Sequence, residues 1–268
     1  MSLRYLNVGC GERFHPEWVN LDIHPAAPGV QKWDLSRDLP FGEGSFEVVY
    51  HSHVLEHFSR EDGLRMLQQC FRVMRSGGIV RVAVPDLEKI ARLYLEALDK
   101  SLAGDRRWES RYEWILLEMY DQTVRDSPGG EMLAYVSRNP IPEEEFVKSR
   151  MGGEFRRMKR ADASARKPAK LGSTLVNRAS RKIARLALGR KGIRAHDLGV
   201  FRLSGEIHRW MYDSYSLARA LEQAGFQSPT RRGPAESAIS GWAGFHLDTE
   251  PDGSVYKPDS LYMEARRA

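Results

Sequence analysis

The sequence predicts an α/β protein built on an open, mostly parallel sheet. Three observations carry that reading. Short β-rich runs alternate with amphipathic helical stretches. A Gly-x-Gly turn follows the first run directly, in LNVGCG at residues 6–11. Acids stand at the ends of the second and third runs, Asp22 and Asp34, and open sheets place their ligands beyond such strand ends.

The elements follow in order. Residues 4–9, 18–22, 30–34, 46–51 and 78–85 are short runs rich in β-formers, bounded by Gly, Pro, Ser or Asp, and read as five strands. Between the last two, Ser59–Arg75 spaces Leu64, Leu67, Phe71 and Met74 by three and four residues, the period of an amphipathic helix. Ser59 is its expected cap and Gly77-Gly78 its stop. From Asp86 to about Asp126 the pattern is helical, and a loop and a basic stretch follow. The sheet pattern resumes near Glu206, with a helix at Ser214–Ala224 ended by Gly225. Final strands are expected around Phe226–Arg231 and Ser260–Arg266. The expected organisation is one α/β domain formed by 1–92 and 205–268. Residues 93–204 form an insertion, partly helical and basic, that serves as a lid.

With 268 residues, 41% of them hydrophobic, the chain can bury a full-sized core. It lacks an apolar run of about 18 residues, which excludes a membrane-spanning helix, and its start lacks a signal-peptide pattern. Cys10 and Cys70 have no metal-ligand spacing. A reducing, cytoplasmic setting is expected. The net charge of +5 conceals an asymmetry: residues 148–194 hold 16 Lys and Arg against Glu154 and Asp162. The remainder of the chain is therefore net acidic.

Gly9 and Gly11 let the backbone turn tightly and approach a ligand with no Cβ between. A dinucleotide fingerprint needs a third glycine where this chain has Phe14. The link from Gly11 to Val19 is too short for a crossover helix, so a pyrophosphate cradle is poorly supported. Asp22 is placed to accept hydrogen bonds from both hydroxyls of a ribose, and Asp34 from an adenine amino group. A nucleoside without phosphates, such as S-adenosylmethionine, suits two such acids.

The series LNVGCG, WVNLD, WDL, LPFGEGSFEVVYHSHVLEHF, RVMRSGGIVRVAVPD and HRWMYDSYSLARALEQAGF resembles the class I S-adenosylmethionine-dependent methyltransferases. It looks closest to a bacterial branch of predicted methyltransferases, some of which belong to surface-polysaccharide pathways. The resemblance covers roughly 3–92 and 205–266. It implies a seven-stranded Rossmann-like sheet with helices on both faces and an antiparallel last strand, matching SLYMEARR. It implies further that Gly9, Cys10 and Gly11 lie against the methionine and ribose of S-adenosyl-L-methionine and that Asp22 holds the ribose. Asp34 and Leu35 would flank adenine, and His51 and Ser52 would sit beside the sulfonium. Asn7 belongs to the same set, where many relatives carry an acid. The short Gly11–Val19 link departs from the family and leaves that side of the pocket to be covered by another segment, the insertion being the one considered.

Methyl transfer from a sulfonium is an in-line displacement that mainly needs alignment and exclusion of water. A hydroxyl acceptor adds the need for a base, for which His is the usual candidate. His51 and His208 are the candidate catalytic residues, His51 at the end of its strand and His208 within EIHRWMYD beside Glu206 and Tyr212. The alternative for the latter group is that it anchors the returning chain. His53 and His57, one helical turn apart, raise a metal site, but no third ligand is evident and no metal is expected. Asp86 reads as a helix N-cap.

The basic stretch 148–194 admits three readings. It is a solvated lid docking on the acidic domain, an interfacial helix on anionic lipid or a grip on an anionic substrate, or a nucleic-acid tether. In it, Val176, Ala179, Ile183 and Leu186 share a helical face, with Arg178, Arg181, Lys182 and Arg185 around the turn. Stacking aromatics are scarce, Phe155 alone, which disfavours nucleic acid. The sequence therefore predicts a methyltransferase acting on a small or carbohydrate-type acceptor, at oxygen. The alternatives are an RNA methyltransferase and an inactive binding module of the same fold.

Overall fold

Each strand run found in the sequence pairs into one sheet, of seven strands. The computed structural model describes residues 5–165 and 175–268. The strands are β1 (Tyr5–Val8), β2 (Val19–Asp22), β3 (Val30–Lys32), β4 (Phe46–Ser52), β5 (Met74–Pro85), β6 (Gln227–Arg232) and β7 (Ser260–Arg266). Their order is β3-β2-β1-β4-β5-β7-β6. β1 to β5 run parallel, and β7 is antiparallel to both β5 and β6. The reversal between β1 and β4 makes the switch point at which such sheets bind ligands. β3 stops at Lys32, two residues short of the expected end, so Asp34 lies in the loop beyond it.

Helix α1 (Arg60–Val73) carries Met66, Leu67, Cys70 and Val73 on its buried face. Ser59 caps it, its Oγ accepting from the Asp62 amide at 3.1 Å, as its place before the apolar period requires. The helix ends at Val73, before Gly77-Gly78, because Met74 already takes extended backbone and opens β5. In chain order there follow α2 (Leu87–Leu102), α3 (Arg106–Leu116), α4 (Gln122–Val124), α5 (Gly130–Val136), α6 (Glu144–Met151), α7 (Gly153–Ala165), α8 (Leu175–Arg202) and α9 (Ser214–Gln223).

The chain divides into two compact units. The first comprises Met1–Arg92, Arg150–Gly152 and Arg209–Ala268, and the second Leu93–Ser149 and Gly153–His208. In the first unit, strand alternation sorts side chains onto two faces. Leu6, Val49, Val80 and Ala265 align on one face, which packs against α1 and α9 through Leu67, Cys70, Leu217 and Leu221. The opposite face carries a polar rung: Asn20, Asn7, Tyr50, Arg81 and Glu264 are paired neighbours across five strands. That rung is covered by residues 233–250, whose one helical turn is the short 3-10 turn Trp242–Phe245. Trp242, Leu247 and Ile239 are buried there with Trp18, Val48 and Tyr50, and Phe245 packs against them. Trp18 meets the rings of Tyr5, Tyr50, Trp242 and Phe245 edge-on. The side left open by the short Gly11–Val19 link is thus covered by the β6–β7 connection, where the sequence suggested the insertion.

Arg81, wholly buried, ties this cover down. It pairs with Asp248 and Glu264, each at 2.8 Å, and donates to the carbonyls of Gly233, Pro234 and Glu236. Tyr50 donates to the other oxygen of Asp248 at 2.5 Å, and Trp242 stacks on the guanidinium 4.4 Å away.

In the second unit, Trp114 and Tyr135 form the buried centre, their rings 5.3 Å apart. Asp121 pairs with Arg125 at 3.0 Å and accepts from the Glu131 amide at 2.7 Å, fixing the start of α5. α8 is broken at Gly189 (φ 62°). A 2.8 Å contact between Ser180 Oγ and His196 Nε2 joins its two limbs as a hairpin. Residues 166–174 of the basic stretch, and the side chains of Val176, Arg178, Ala179 and Arg181, lie outside the described residues. Among the described residues, no helix is long and apolar enough to cross a membrane.

Removing one member of a buried ion cluster leaves the others charged without compensation, at a cost of about 3–5 kcal/mol. R81M is therefore expected to lower unfolding stability by that amount in urea titrations. The double variant R81M/D248N is expected to recover part of it.

Candidate active site

The glycine turn and the end of β2 are one structure. Gly9 and Gly11 both have positive φ, 67° and 52°. A Cβ on Gly9 would stand 2.5 Å from Val54 Cγ2, a distance no side chain tolerates, so glycine is required there. Leu35 Cδ1 lies 3.5 Å from the same point, and Leu35 packs on the core beneath. At Gly11 a Cβ would meet nothing within 4 Å: the turn opens outward there. Its amide donates to Asp22 Oδ2 at 2.8 Å, while the His24 amide donates to Oδ1 at 2.7 Å. Asp22 is thus oriented at the strand end beside open space, with lone pairs left for further donors. Cys10, buried next to it, has its thiol pushed up to about 12 by burial and then by the Asp22 charge. It is a neutral wall of the turn.

Asp34 accepts from the Ser36 amide at 2.9 Å. That bond, then one to the Ser36 side chain, holds its carboxyl below the usual range. The loop is tied back by the Trp33 amide, which donates to the Asp22 carbonyl at 2.9 Å. Asn7, expected at the cofactor, is buried and spoken for. Its amide nitrogen donates to the Arg13 carbonyl at 2.9 Å and lies 3.3 Å from Asn20 Oδ1, so it holds the glycine turn's return from beneath.

The strand end of β4 corrects another expectation. His51, a candidate base, does not open to a crevice. Alternation puts it on the helix-covered face beside Val8 and Val82, and it is completely buried. Neither ring nitrogen has a hydrogen-bond partner. Burial lowers its pKa to about 4, against a smaller opposing effect of Glu56, so it is neutral at pH 7. Ser52, next along, is half-buried at the end of the strand.

The histidine that turns outward is His53, which the sequence weighed only as a metal ligand. It has φ +55°, uncommon for a non-glycine residue, and is held by its amide to the Ala83 carbonyl at 2.9 Å. Its Nδ1 lies 3.2 Å from Glu56 Oε1, and its Nε2 lies 2.8 Å from Ser260 Oγ at the start of β7. A carboxylate only accepts, so the arrangement favours the proton on Nδ1 and leaves Nε2 to accept from the serine hydroxyl. Glu56 itself is fully buried, and its backbone carbonyl takes the Arg209 and Trp210 amides at 2.7 and 3.2 Å. Val54, which touches the glycine turn, is the next residue after His53. No periodicity marks His53, because its role follows from one left-handed residue after a strand.

His208, the other candidate base, belongs to the second unit. It is buried, and its amide donates to the Gln122 carbonyl at 2.8 Å. Glu206 accepts from the Gly129 amide at 2.9 Å and lies 3.4 Å from Arg125. Tyr212 is buried in the first unit and bridges Asp86. These contacts anchor chain, in line with the alternative the sequence left open. Asp86 caps α2, accepting from the Lys89 amide at 3.1 Å, and pairs with Arg231 at 2.7 Å. A cavity of about 470 Å³ is lined by second-unit residues, with Asp126 and Asp197 offsetting Arg190 and Arg194. It contains none of the glycine-turn residues.

Residues 6–82 match the model of a family described as a methyltransferase domain. The strand order and the glycine turn joined to a strand-terminal acid agree with that match and with the class I resemblance of the sequence. Among solved structures, the chain is similar to a SAM-dependent methyltransferase from Thermotoga maritima, at 10% identity over 100% of this chain and 84% of that one, with a TM-score of 0.39. It is also similar to a SAM-dependent methyltransferase from Archaeoglobus fulgidus, at 12% identity over 99% and 86%, with a TM-score of 0.41. A third is PigF with SAH, at 10% identity over 99% and 50%, with a TM-score of 0.38. At such scores the likenesses are weak, and the sheet order carries the fold. No curated protein matches the chain.

A histidine whose folded pKa is depressed binds its proton more readily when unfolded. His51 therefore costs nothing above its unfolded pKa of about 6.5 and destabilises the fold as pH falls from there toward 4. At about 1.4 kcal/mol per unit, the loss by pH 4.5 is about 2–3 kcal/mol. H51L is expected to lose less stability than wild type by that amount between pH 7 and 4.5, read from denaturant curves at both.

Proposed function

We propose that this chain O-methylates a small or carbohydrate-type hydroxyl acceptor, using S-adenosylmethionine as donor. The observation that supports an oxygen acceptor best is the Glu56–His53–Ser260 array at the ends of β4 and β7. A neutral amine attacks through its lone pair and sheds its proton afterwards, whereas a hydroxyl is a poor nucleophile until a base takes its proton.

The residues present suit the cofactor. The open ground at Gly11 lies directly beside the Asp22 carboxylate, which is oriented by two backbone amides. When bound there, S-adenosylmethionine supplies a methyl group already activated by its sulfonium. Asp22 would hold the ribose hydroxyls, Asp34 and Leu35 would flank the adenine, and Gly9, Cys10 and Gly11 would form the wall. Ser260 Oγ takes the acceptor's proton as its own passes to His53 Nε2, and Glu56 steadies the imidazolium so formed. His51 and His208 have no part in this relay.

Two measurements test the reading. Calorimetry with S-adenosylhomocysteine is expected to show binding to wild type and about tenfold or weaker binding to D22A, the usual scale for losing charge-assisted hydrogen bonds. Incubation with methyl-labelled donor and fractionated metabolites is expected to place label in a hydroxyl-bearing carbohydrate fraction. H53A should slow that transfer by about 100-fold or more while S-adenosylhomocysteine affinity is kept. Label confined to RNA, or undiminished transfer by H53A, would overturn the acceptor assignment and the base respectively.

A further inference from the structure

We infer that the first limb of α8, in the second unit, is a docking face for an anionic lipid bilayer. In this limb Ile183 is 65% exposed and Leu186 78% exposed, and Leu188 at its end is 69% exposed. Three large aliphatic side chains lying open within six residues are not accounted for by burial in a core. Lys182, Arg185 and Lys191 are exposed around them, and none of the three makes an ion pair among the described residues. Ile183 and Leu186 are three residues apart and so share one side of the helix.

This is the chemistry of a helix lying in a membrane interface. Aliphatic side chains enter the acyl boundary, and the flanking cations meet anionic head groups. Charge complementarity selects the occupant: residues 148–194 carry 16 basic residues against two acids, while the chain as a whole is only +5. A single-stranded nucleic acid would use the same cations, but it is gripped through aromatic surfaces on which its unpaired bases stack. The first aromatic side chain on each side in sequence, Phe155 before and Phe201 after, is 7% and 5% exposed respectively. They are committed to packing, whereas the exposed apolar groups of this limb are all aliphatic. The break at Gly189 places these side chains before a hairpin turn rather than in the middle of a continuous rod. The inference goes beyond methyl transfer and stands without it.

The test is co-sedimentation of the full chain with phosphatidylcholine vesicles, with and without phosphatidylglycerol. Binding is expected to be about tenfold or more tighter to the anionic vesicles. I183E/L186E is expected to weaken that binding by about tenfold or more, and K182Q and R185Q by about fivefold each. All four positions are exposed, so the variants should fold, and an unchanged far-ultraviolet circular dichroism spectrum and melting temperature check this independently of the methyltransferase reading. Equal sedimentation with both vesicle types, or binding indifferent to I183E/L186E, would overturn the inference. So would tighter binding to single-stranded RNA that I183E/L186E leaves untouched.

Discussion

The buried guanidinium of Arg81 is the constraint on which the first unit depends. A charge with no exposure survives in a protein only if its donors are met nearly in full. Here two carboxylates and three carbonyls meet them, and those partners come from the β6–β7 connection as well as from β7 itself. The connection cannot leave the sheet without stranding the charge. That matters because the chain has no helix between β1 and β2 to cover this face. The cover is made instead by Trp242, Phe245 and Leu247, whose packing on Trp18 is local, and Arg81 makes it obligatory.

The same rung reaches the binding side of the sheet. Asn7 and Asn20 continue the polar row from Tyr50 and secure the segment between Gly11 and Val19 by its carbonyls at Arg13, His15 and Trp18. The glycine turn is thus held from both sides: Asn7 from below, and Asp22 through the Gly11 amide. A short loop in place of a helix would ordinarily be free to move. Here its ends are hydrogen-bonded to adjacent strands, and Arg13 pairs with Glu250 at 2.6 Å and stacks 3.7 Å from Tyr256. An acid expected at the position of Asn7 would have to be buried among carbonyl acceptors, which cannot satisfy a carboxylate. The departure from the family at Asn7 and the departure at the missing helix are therefore one change.

How much of this was legible follows from how local each signal is. Ser59 as a cap and Asp86 as a cap were readable because the bond is made within three residues. The strands were readable because their alternation is a property of each run. His51 was misassigned for a related reason. Its position at the end of a strand was visible, but the face it takes follows from parity with Val49 and from the helices on that side, and a strand end reads equally as facing a ligand. The roles of Asn7, Arg81 and Asp248 depend on partners far apart in the chain, Arg81 and Asp248 by 167 residues. No pattern in a window of the sequence contains such a pair.

His51 and His53 show how one backbone step separates a buried, unpartnered histidine from one held between an acid and a hydroxyl. Had the chain continued extended after Ser52, residue 53 would have followed His51 onto the helix-covered face by strand parity. The left-handed residue breaks that parity and brings both nitrogens of His53 to polar partners, at Glu56 and Ser260. A non-glycine residue in that region costs about 1–3 kcal/mol and persists only where its surroundings over-determine it. Here the amide bond to Ala83, the carboxylate of Glu56 and the hydroxyl of Ser260 do so together. That the chain bears strain to hold this histidine between an acid and a hydroxyl, at the end of the sheet where ligands bind, is the physical argument for the proton transfer proposed for it.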